Sequence, residues 1–576
     1  MIHKVKQYSG ILIVLVLSLI ALLPLFHSGF FPIHDDEQVG RLYELHLDVI
    51  SGHIPPRLSQ NLGYGYDYPL FSFYPSFVYY IAEVYHLFGF SYITSIKLMI
   101  ATGFIFAAVA MYKLSKYYFG TLAGITSSVF YTYASYHSVD VYVRGALPEF
   151  WSFVFIPAVF YSFTRLAKEA KTAWIIGTGA LLAGFVLTHN LIAMMSAPFL
   201  LCFLLYLLFT NKEKKRFIVS VLYAGGIGIG LSAYFWLPSL AEKQYTMVSL
   251  LTKELADYAI HFVYPIQFWY SPWGYGGSTA GLADGLSFQL GKIYLLCLSF
   301  VFVYALLLLK KQRKTALLLF LLLGMFVFSL FMQIPASKSI WDALKSVMAY
   351  IQFPWRFLVF TFFFASFAIG ALFTTPFPLM RRKWILYGQY LFAIFVILVV
   401  FYKAVTIFAP SKYLTSVTDA NYISEDVIRW KTSNLAFEYV PNGIATKKLP
   451  RGNTVVAITK EQIAKGPFSV ISGKMQIQVT KNIPQEKRAE VSLTKTGILQ
   501  INVYDFPGWH IYVDGNEVSY SSRNALKLLR IPLSKGSHTV DALFQETPVR
   551  MIGDIVSGIT ILGLIGYGFS RKIKRK

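Results

Sequence analysis

In FPIHDDEQVGRLYELH, residues 31–46, the titratable residues His34, Asp35, Asp36 and Glu37 stand side by side. A carboxylate at such a place can take the proton of an attacking hydroxyl, or orient and polarise it. Asp35, Asp36 and Glu37 also offer the hard oxygen ligands that suit Mg2+ or Mn2+. A plainer account competes with both. Asp35 caps a helix and Gln38, three residues on, completes a capping box. Val39, Leu42, Tyr43, His46, Val49 and Ile50 then share one face, while Glu37, Arg41, Glu44 and Asp48 form a solvated stripe on another. Gly52 and Pro55-Pro56 end the helix. One cap uses one Asp, which leaves His34, Asp36 and Glu37 without a role in this account.

Four further places hold residues fit for chemistry. In PPRLSQNLGYGYDYPLFSFYP, residues 55–75, Arg57 precedes a run in which Gly63 and Gly65 alternate with Tyr64, Tyr66 and Tyr68. Such rings, set by glycine turns, suit a sugar or lipid platform, or else anchor an irregular interfacial loop. YHSVDVYVRGALPEFW, residues 136–151, brings Asp140, Arg144 and Glu149. The planar fork of Arg144 matches a phosphate, and equally a salt bridge to Asp140 or Glu149. His189, in the sequence Thr-His-Asn, falls at the outer end of an apolar run. Arg356, in QFPWRF, stands where another run begins. The segment FWYSPWGYGGSTAGLADGLSFQLG lacks the Lys-Ser or Lys-Thr of a phosphate-binding loop and reads as a flap-like loop or a plain linker. HExxH, GxSxG and Walker sequences are absent, and the histidines lack zinc-ligand spacing.

The elements that must carry these residues are membrane helices. The chain has 576 residues, of which 55% are hydrophobic and only 14% charged, against about a quarter charged in soluble proteins. Apolar runs near 9–26, 93–114, 119–137, 150–166, 172–188, 191–209, 217–240, 290–309, 315–332, 355–374, 384–402 and 550–570 suggest about 12 transmembrane helices. The first run follows a basic start with no small-x-small cleavage site and reads as a retained span. The net charge of +23 invites a nucleic-acid reading, but the Lys and Arg lie in short clusters between the runs, including RLAKEAK, NKEKKR, KKQRK and RRK. Twelve spans from a cytoplasmic N-terminus put every cluster on the cytoplasmic side, so the charge records orientation and not nucleic-acid binding. The outer segments are then 27–92, 138–149, 189–190, 241–289, 333–354 and 403–549, and both termini are cytoplasmic. Residues 74–92 read as an interfacial helix, because a span there would turn KKQRK and RRK outward. Cys202 and Cys297 lie in apolar runs and read as packed hydrophobes.

Domain boundaries follow from the change in pattern. Residues 1–402 form the transmembrane module, with a first outer loop 27–92 and a flap-like loop 241–289. Residues 403–549 show period-two alternation in VVAIT, FSVIS, MQIQVT, ILQINVY, HIYVDG and HTVDALF, which predicts an extracytoplasmic β-sandwich-like domain. Residues 550–576 form the final helix and a basic tail.

The stretches HDDEQVGRLYE, GHIPPRLSQNLGYGYDYPLFSFYP, VDVYVRGALPEFW and QFPWRF, within roughly residues 30–360, resemble the bacterial membrane family called 6-pyruvoyl-tetrahydropterin synthase-related, which is similar to the GT-C glycosyltransferase superfamily. FPGWHIYVDG with KGSHTV resembles the outer domain of YfhO-like GT-C proteins. Two positions depart from the pattern: Leu58, where the family more often has Trp, and Asp67, where Gly is common. The family name carries no pterin chemistry here, since the soluble zinc enzymes of that name use His ligands that this chain does not supply.

The resemblance implies a multi-pass protein of the bacterial cell membrane. It also implies a transferase that moves sugar from a polyprenyl-phosphate-linked donor, using an acidic residue of the first outer loop. Asp36, or Asp35, is then the expected base. Arg144, Arg356 and Arg41 are the expected phosphate contacts, with Glu149 and His189 behind them and Arg57, Tyr64 and Tyr66 lining the substrate. The expected partners are the lipid-linked sugar, a glycan or lipid acceptor and membrane lipid. Two alternatives stand beside this one: a transporter or flippase, and a non-enzymatic envelope assembly protein. A transporter calls for broken or charged mid-span helices and repeated halves. No clear internal repeat is seen, and the polar clusters lie at span ends.

Overall fold

The structure, a computed structural model, describes residues 2–248, 257–374, 383–448 and 454–573. All twelve apolar runs fold as helix. Among the described residues, eight helices are long and apolar enough to cross a membrane: Ser9–Phe26, Tyr92–Phe119, Leu147–Glu169, Asn190–Thr210, Arg313–Phe331, Pro354–Phe373, Tyr387–Ile407 and Pro548–Gly568. A ninth counts if Lys214–Leu231 and Ala233–Tyr245 make one broken span. Three of the expected spans are shorter. Thr172–Thr188 and Lys292–Leu308 have 17 residues each, and Thr121–Thr132 has 12. At 1.5 Å per residue, 12 residues reach about 18 Å, well short of a hydrocarbon core of about 30 Å. Residues 74–92 contain only the 11-residue helix Phe77–Leu87, which is likewise too short to span.

The chain forms two compact units. A helical unit comprises Met1–His34, Lys97–Leu231 and Ala256–Ser416; a mixed unit comprises Asp35–Ile96, Ser232–Leu255 and Val417–Lys576. The expected boundaries put the first outer loop with the membrane helices and set the last helix apart. By contacts, most of that loop and the last helix both group with the β-rich segment.

Within the mixed unit the expected sandwich forms. An antiparallel five-stranded sheet runs in the order Met475–Ile483, Glu486–Leu493, Gly536–Phe544, Trp509–Val513, Asn516–Glu517. A three-stranded antiparallel sheet runs Phe468–Ser472, Gly497–Tyr504, Leu528–Leu533. Alternating residues from both sheets, among them Val491, Ile501, Ile511, Ile531 and Val540, share one apolar core. Leu58 and Phe73 from the first outer loop pack into that same core. The loop and the sandwich therefore fold as one hydrophobic body, which explains the grouping.

Candidate functional site

Sequence reasoning singled out four residues that the helical unit brings into one cluster. The π-helical turn Val139–Val143 carries Asp140, with Arg144 one turn later. Leu147–Glu169 carries Glu149 in its first turn. Arg144 Nη1 donates to Asp140 Oδ1 at 2.6 Å and to the Tyr136 hydroxyl at 3.0 Å, and lies 3.0 Å from Glu149 Oε2. Tyr136 donates to Glu149 Oε1 at 2.6 Å. Arg356, from the turn Pro354–Phe357, sets its Nε 3.2 Å from the same Glu149 Oε2 and donates through Nη1 to the Ile351 carbonyl at 2.8 Å. Two guanidinium groups thus converge on one carboxylate. Trp355 lies under the Arg144 guanidinium, 4.6 Å from ring centroid to carbon, and covers it against water.

The charge balance of this cluster is uneven. Burial and the neighbouring charge of Glu149 hold the Asp140 carboxyl well above the ordinary range, against the pull of Arg144 and Arg356. Arg144 and Arg356 thus bring two guanidinium groups onto the single carboxylate of Glu149. His189 caps the helix Asn190–Thr210 by accepting from the Ile192 amide through Nδ1 at 3.2 Å. Desolvation holds its imidazole down to about 3, which fits a neutral ring with Nδ1 free to accept. Asp140, Tyr136 and Trp355 complete the cluster. The sequence offers Asp140 only as a salt-bridge partner of Arg144, and no local pattern marks Tyr136 or Trp355.

The glycine-rich loop is self-supported. Gly276 and Gly285 exchange backbone hydrogen bonds with partners across a tight return, Gly276 N to Gly285 O at 2.8 Å and Gly285 N to Gly277 O at 2.9 Å. Asp284 accepts from the Thr279 amide and from Gln267. Phe288, beyond this return, lies against Trp355 with centroids 6.1 Å apart. Part of the expected flap, residues 249–256, lies outside the described residues.

The acids that open the chain's first motif belong to the mixed unit from Asp35 onward. Helix Gln38–Ile50 follows them, with Glu37 at its cap position and no side-chain cap bond. The expected Asp35–Gln38 capping box is therefore corrected: Gln38 instead accepts from the Tyr79 hydroxyl at 2.6 Å. The expected solvated stripe is corrected as well. Arg41, Glu44 and Asp48 are buried, and Ile50 is the exposed residue. Glu44 accepts from Ser59 at 2.8 Å and twice from Asn61, whose side-chain oxygen in turn takes two bonds from Arg429. Asp48 meets Gln485 at 3.3 Å. Segments distant in sequence cover this face and supply hydrogen bonds to Glu44 and to one oxygen of Asp48.

The four residues of the motif have separate fates. His34 is exposed in the helical unit, held by the Tyr275 carbonyl at 2.9 Å. Glu37 pairs with Arg41 at 2.9 Å, and the Arg41 guanidinium sits 4.0 Å over the Tyr74 ring. Burial raises the Glu37 carboxyl to about 7 despite Arg41. Asp36 is part-exposed, only 3.6 Å from Lys431 Nζ, and burial raises its carboxyl above the ordinary range. Asp35 forms no hydrogen bond or ion pair among the described residues. The expected Mg2+ or Mn2+ ligand set of Asp35, Asp36 and Glu37 does not assemble. Glu37 faces Arg41 and Asp36 faces Lys431, and among the described residues no group of three His, Cys, Asp or Glu side chains gathers as a metal site.

The other expected substrate contacts lie inside the mixed unit. Arg57, 1% exposed, donates to Glu546 and the Tyr234 carbonyl at 2.9 Å and to both oxygens of Asp554. Its fork is filled by the chain itself. Tyr64 and Tyr66 are buried, bonded to Asn434 and to the Gln462 carbonyl, so their rings fill the core and do not form a surface platform. Gly63 earns its place there. It has φ +64°, and a Cβ would lie 2.6 Å from that of Tyr68. Arg41, at 3% exposure, is likewise internal.

No protein-family model matches the chain. A curated relative, an "uncharacterized protein" of Lactococcus lactis subsp. cremoris strain MG1363, is 23% identical over 251 residues, which is 41% of this chain and 40% of that protein. Among solved structures, the chain is similar to the apo oligosaccharyltransferase of Archaeoglobus fulgidus, with TM-score 0.45 and 12% identity over 73% of this chain and 56% of that one. The same organism's AglB in complex with an inhibitory peptide and a dolichol-phosphate matches with TM-score 0.43 and 12% identity, at the same coverage. ArnT from Cupriavidus metallidurans bound to undecaprenyl phosphate matches with TM-score 0.38 and 13% identity over 74% of this chain and 68% of that one. The chain thus spans about two-fifths of the curated relative and just over half of the archaeal enzyme.

Proposed function

We propose that the protein is a membrane glycosyltransferase of the GT-C kind, moving a sugar from a polyprenyl-phosphate-linked donor to an envelope acceptor on the extracytoplasmic face. The observation that carries this reading is the pair of guanidinium groups of Arg144 and Arg356 on the single carboxylate of Glu149, at the end of apolar helices. In the transfer, the acceptor oxygen forms a bond to the sugar C1 as the C1–O bond to the phosphate breaks. The leaving phosphate takes the bonding electrons and gains charge. Fixed guanidinium charge is worth most there, in a water-poor site that needs no reorganisation. Glu149 and Tyr136 hold the two forks in place, and neutral His189 adds no competing charge.

The acceptor hydroxyl loses its proton to Asp36, with Asp35 as its neighbour. Two facts support Asp36: burial raises its carboxyl above the ordinary range, toward what a general base needs, and it stays part-exposed, with exposed Lys431 at 3.6 Å as its ion-pair partner among the described residues. Arg41, Arg57, Tyr64 and Tyr66 hold the fold of the segment that carries these acids.

The test uses the full chain purified in lipid, with radiolabelled polyprenyl-phosphate hexoses and cell-envelope extract as acceptor. Asp36→Asn, Asp35→Asn and the double variant are compared with wild type, and Arg144→Gln and Arg356→Gln form a second arm. Loss of the base is expected to cost about 100- to 10,000-fold in transfer rate. Full activity in the double variant would sink the base assignment. Movement of labelled lipid across liposomes without sugar transfer would favour a carrier instead.

A further inference from the structure

The helical unit holds a cavity of about 430 Å3 unrelated to the Arg144–Glu149 cluster. It is framed by the ends of five helices. Tyr117 and Tyr118 close Tyr92–Phe119, Lys168 and Glu169 close Leu147–Glu169, and Tyr206 lies in the last turn of Asn190–Thr210. Arg216 and Lys314 come from the first turns of Lys214–Leu231 and Arg313–Phe331. Glu149 and Lys168 lie 19 residues apart on one helix, so the two sites are about 29 Å apart along it, close to the thickness of a bilayer core. The sequence groups RLAKEAK, NKEKKR and KKQRK meet around this one cavity, as their common side in the threading requires.

The charges lining the cavity do not balance. Glu169 is taken by Arg165 and Lys171, and Glu213 by Arg216 at 3.0 Å. That leaves Lys168, Lys212 and Lys314 with no carboxylate partner among the described residues. Lys168 lies over the Tyr117 ring at 5.4 Å, and Lys314 donates to the Thr210 carbonyl at 3.2 Å. Bonds that involve no lysine side chain also hold the frame: Tyr118 and Thr164 share a hydrogen bond of 2.9 Å, and Asn211 donates to the Ala167 carbonyl at 2.9 Å. The helix end that contributes Tyr206 and Thr210 to the cavity also carries exposed apolar side chains, Phe209 at 75% and Leu205 at 43%. A soluble phosphate would use the lysines alone. A phospholipid would use the lysines and cover this apolar surface with its chains.

We infer that this cavity binds the phosphate-bearing headgroup of an anionic phospholipid at the basic ends of the helices. Lys168, Lys212 and Lys314 neutralise the phosphate, and the tyrosines sit at headgroup depth, where their amphipathic rings are favoured. The site is separate from the proposed donor site and is tested by lipid retention, so its failure and the failure of sugar transfer are told apart.

The test is native mass spectrometry of the full-length protein from detergent micelles holding equal phosphatidylglycerol and phosphatidylcholine. Wild type is expected to retain phosphatidylglycerol in excess. Each lysine near the surface contributes roughly fivefold, so Lys168→Gln/Lys212→Gln/Lys314→Gln should bring the excess close to parity. The corresponding triple Arg variant should keep it. Lys212→Gln alone, at an exposed residue, should lower it in a protein whose folding is undisturbed. Glycerol phosphate at millimolar concentration is a third arm. If it displaces the lipid completely and binds without it, the ligand is a soluble phosphate and the lipid assignment falls. Equal retention of both lipids by wild type, or an excess unchanged in the triple Gln variant, would also overturn the proposal.

Discussion

Replacing Lys487 by Met should loosen the segment that carries Asp36. Lys487, from the strand Glu486–Leu493, places its ammonium 3.0 Å from Asp67 Oδ1, and the two side chains are 2% and 1% exposed. Lys487 also donates to the Ile483 carbonyl at 2.9 Å. Met keeps the length and apolar stem of the side chain but removes the charge. Asp67 is then left buried without its cation, and breaking such a pair from one side costs about 3–5 kcal/mol. Burial already raises the Asp67 carboxyl, and Lys487 is the strongest influence pulling it back down. Without Lys487, the folded-state value moves further above the unfolded one. An acid whose folded value is raised stabilises the fold below its unfolded value and loses that contribution as pH rises through the folded value. The variant should therefore melt lower than wild type at pH 8 and recover toward wild type at pH 5, with an added slope of up to about 1.4 kcal/mol per pH unit. The assay is hydrogen exchange over residues 57–73 across this range, with thermal melting of the purified protein beside it. Asp67→Asn/Lys487→Met should be less destabilised than Lys487→Met alone. A single variant within about 1 kcal/mol of wild type at pH 8, with unchanged pH slope, would refute the reasoning that the pair is desolvated.

Three further outcomes follow from the same geometry. The Glu37 carboxyl is raised to about 7, so its contribution to stability is lost as pH climbs from about 4.5 through 7, and Glu37→Gln should flatten melting temperature across that window. Arg57→Met leaves Glu546 and Asp554 without their cation; because both are about a third exposed, water offsets part of the loss, and thermal melting should show a cost of about 1–3 kcal/mol. At Gly285 a Cβ would lie 2.6 Å from Gly276 Cα, so Gly285→Ala should open the glycine-rich return, read as faster hydrogen exchange over residues 274–288 with the rest of the helical unit unchanged.

Asp67 also shows how a departure from a family pattern can be absorbed. Its φ is +50°, in the left-handed region where glycine is common and Asp is among the better tolerated residues. Here the Asp keeps the backbone turn and adds the ion pair to Lys487. Leu58, the second departure, is fully buried in the sandwich core, a place set for an apolar side chain.

What the sequence determined by itself is what depends on neighbours along the chain. Runs of apolar residues specify helices whatever surrounds them, and all twelve runs are helical. Period-two alternation marked strands such as Phe468–Ser472 and Met475–Ile483 because opposite faces of a strand meet different surroundings. It missed Glu486–Leu493, where Lys487, an inward polar residue, breaks the pattern. The cluster of Arg144, Glu149, His189 and Arg356 was legible because each stands at the end of an apolar run, where a charge needs a reason. Tertiary structure alone decided whether a polar face is wet. Arg41, Glu44 and Asp48 formed a well-made hydrophilic stripe, yet all three are buried, Arg41 against Glu37 and Tyr74, Glu44 against Asn61 and Asp48 against Gln485. Arg57 looked available to a phosphate, but its carboxylate acceptors, Glu546 and Asp554, lie 489 and 497 residues further along the chain. The cost of a buried charge is set by what covers it and what it bonds to. Neither is a property of the residues beside it in the chain, so the roles of these side chains could be settled only once the chain had folded back on them.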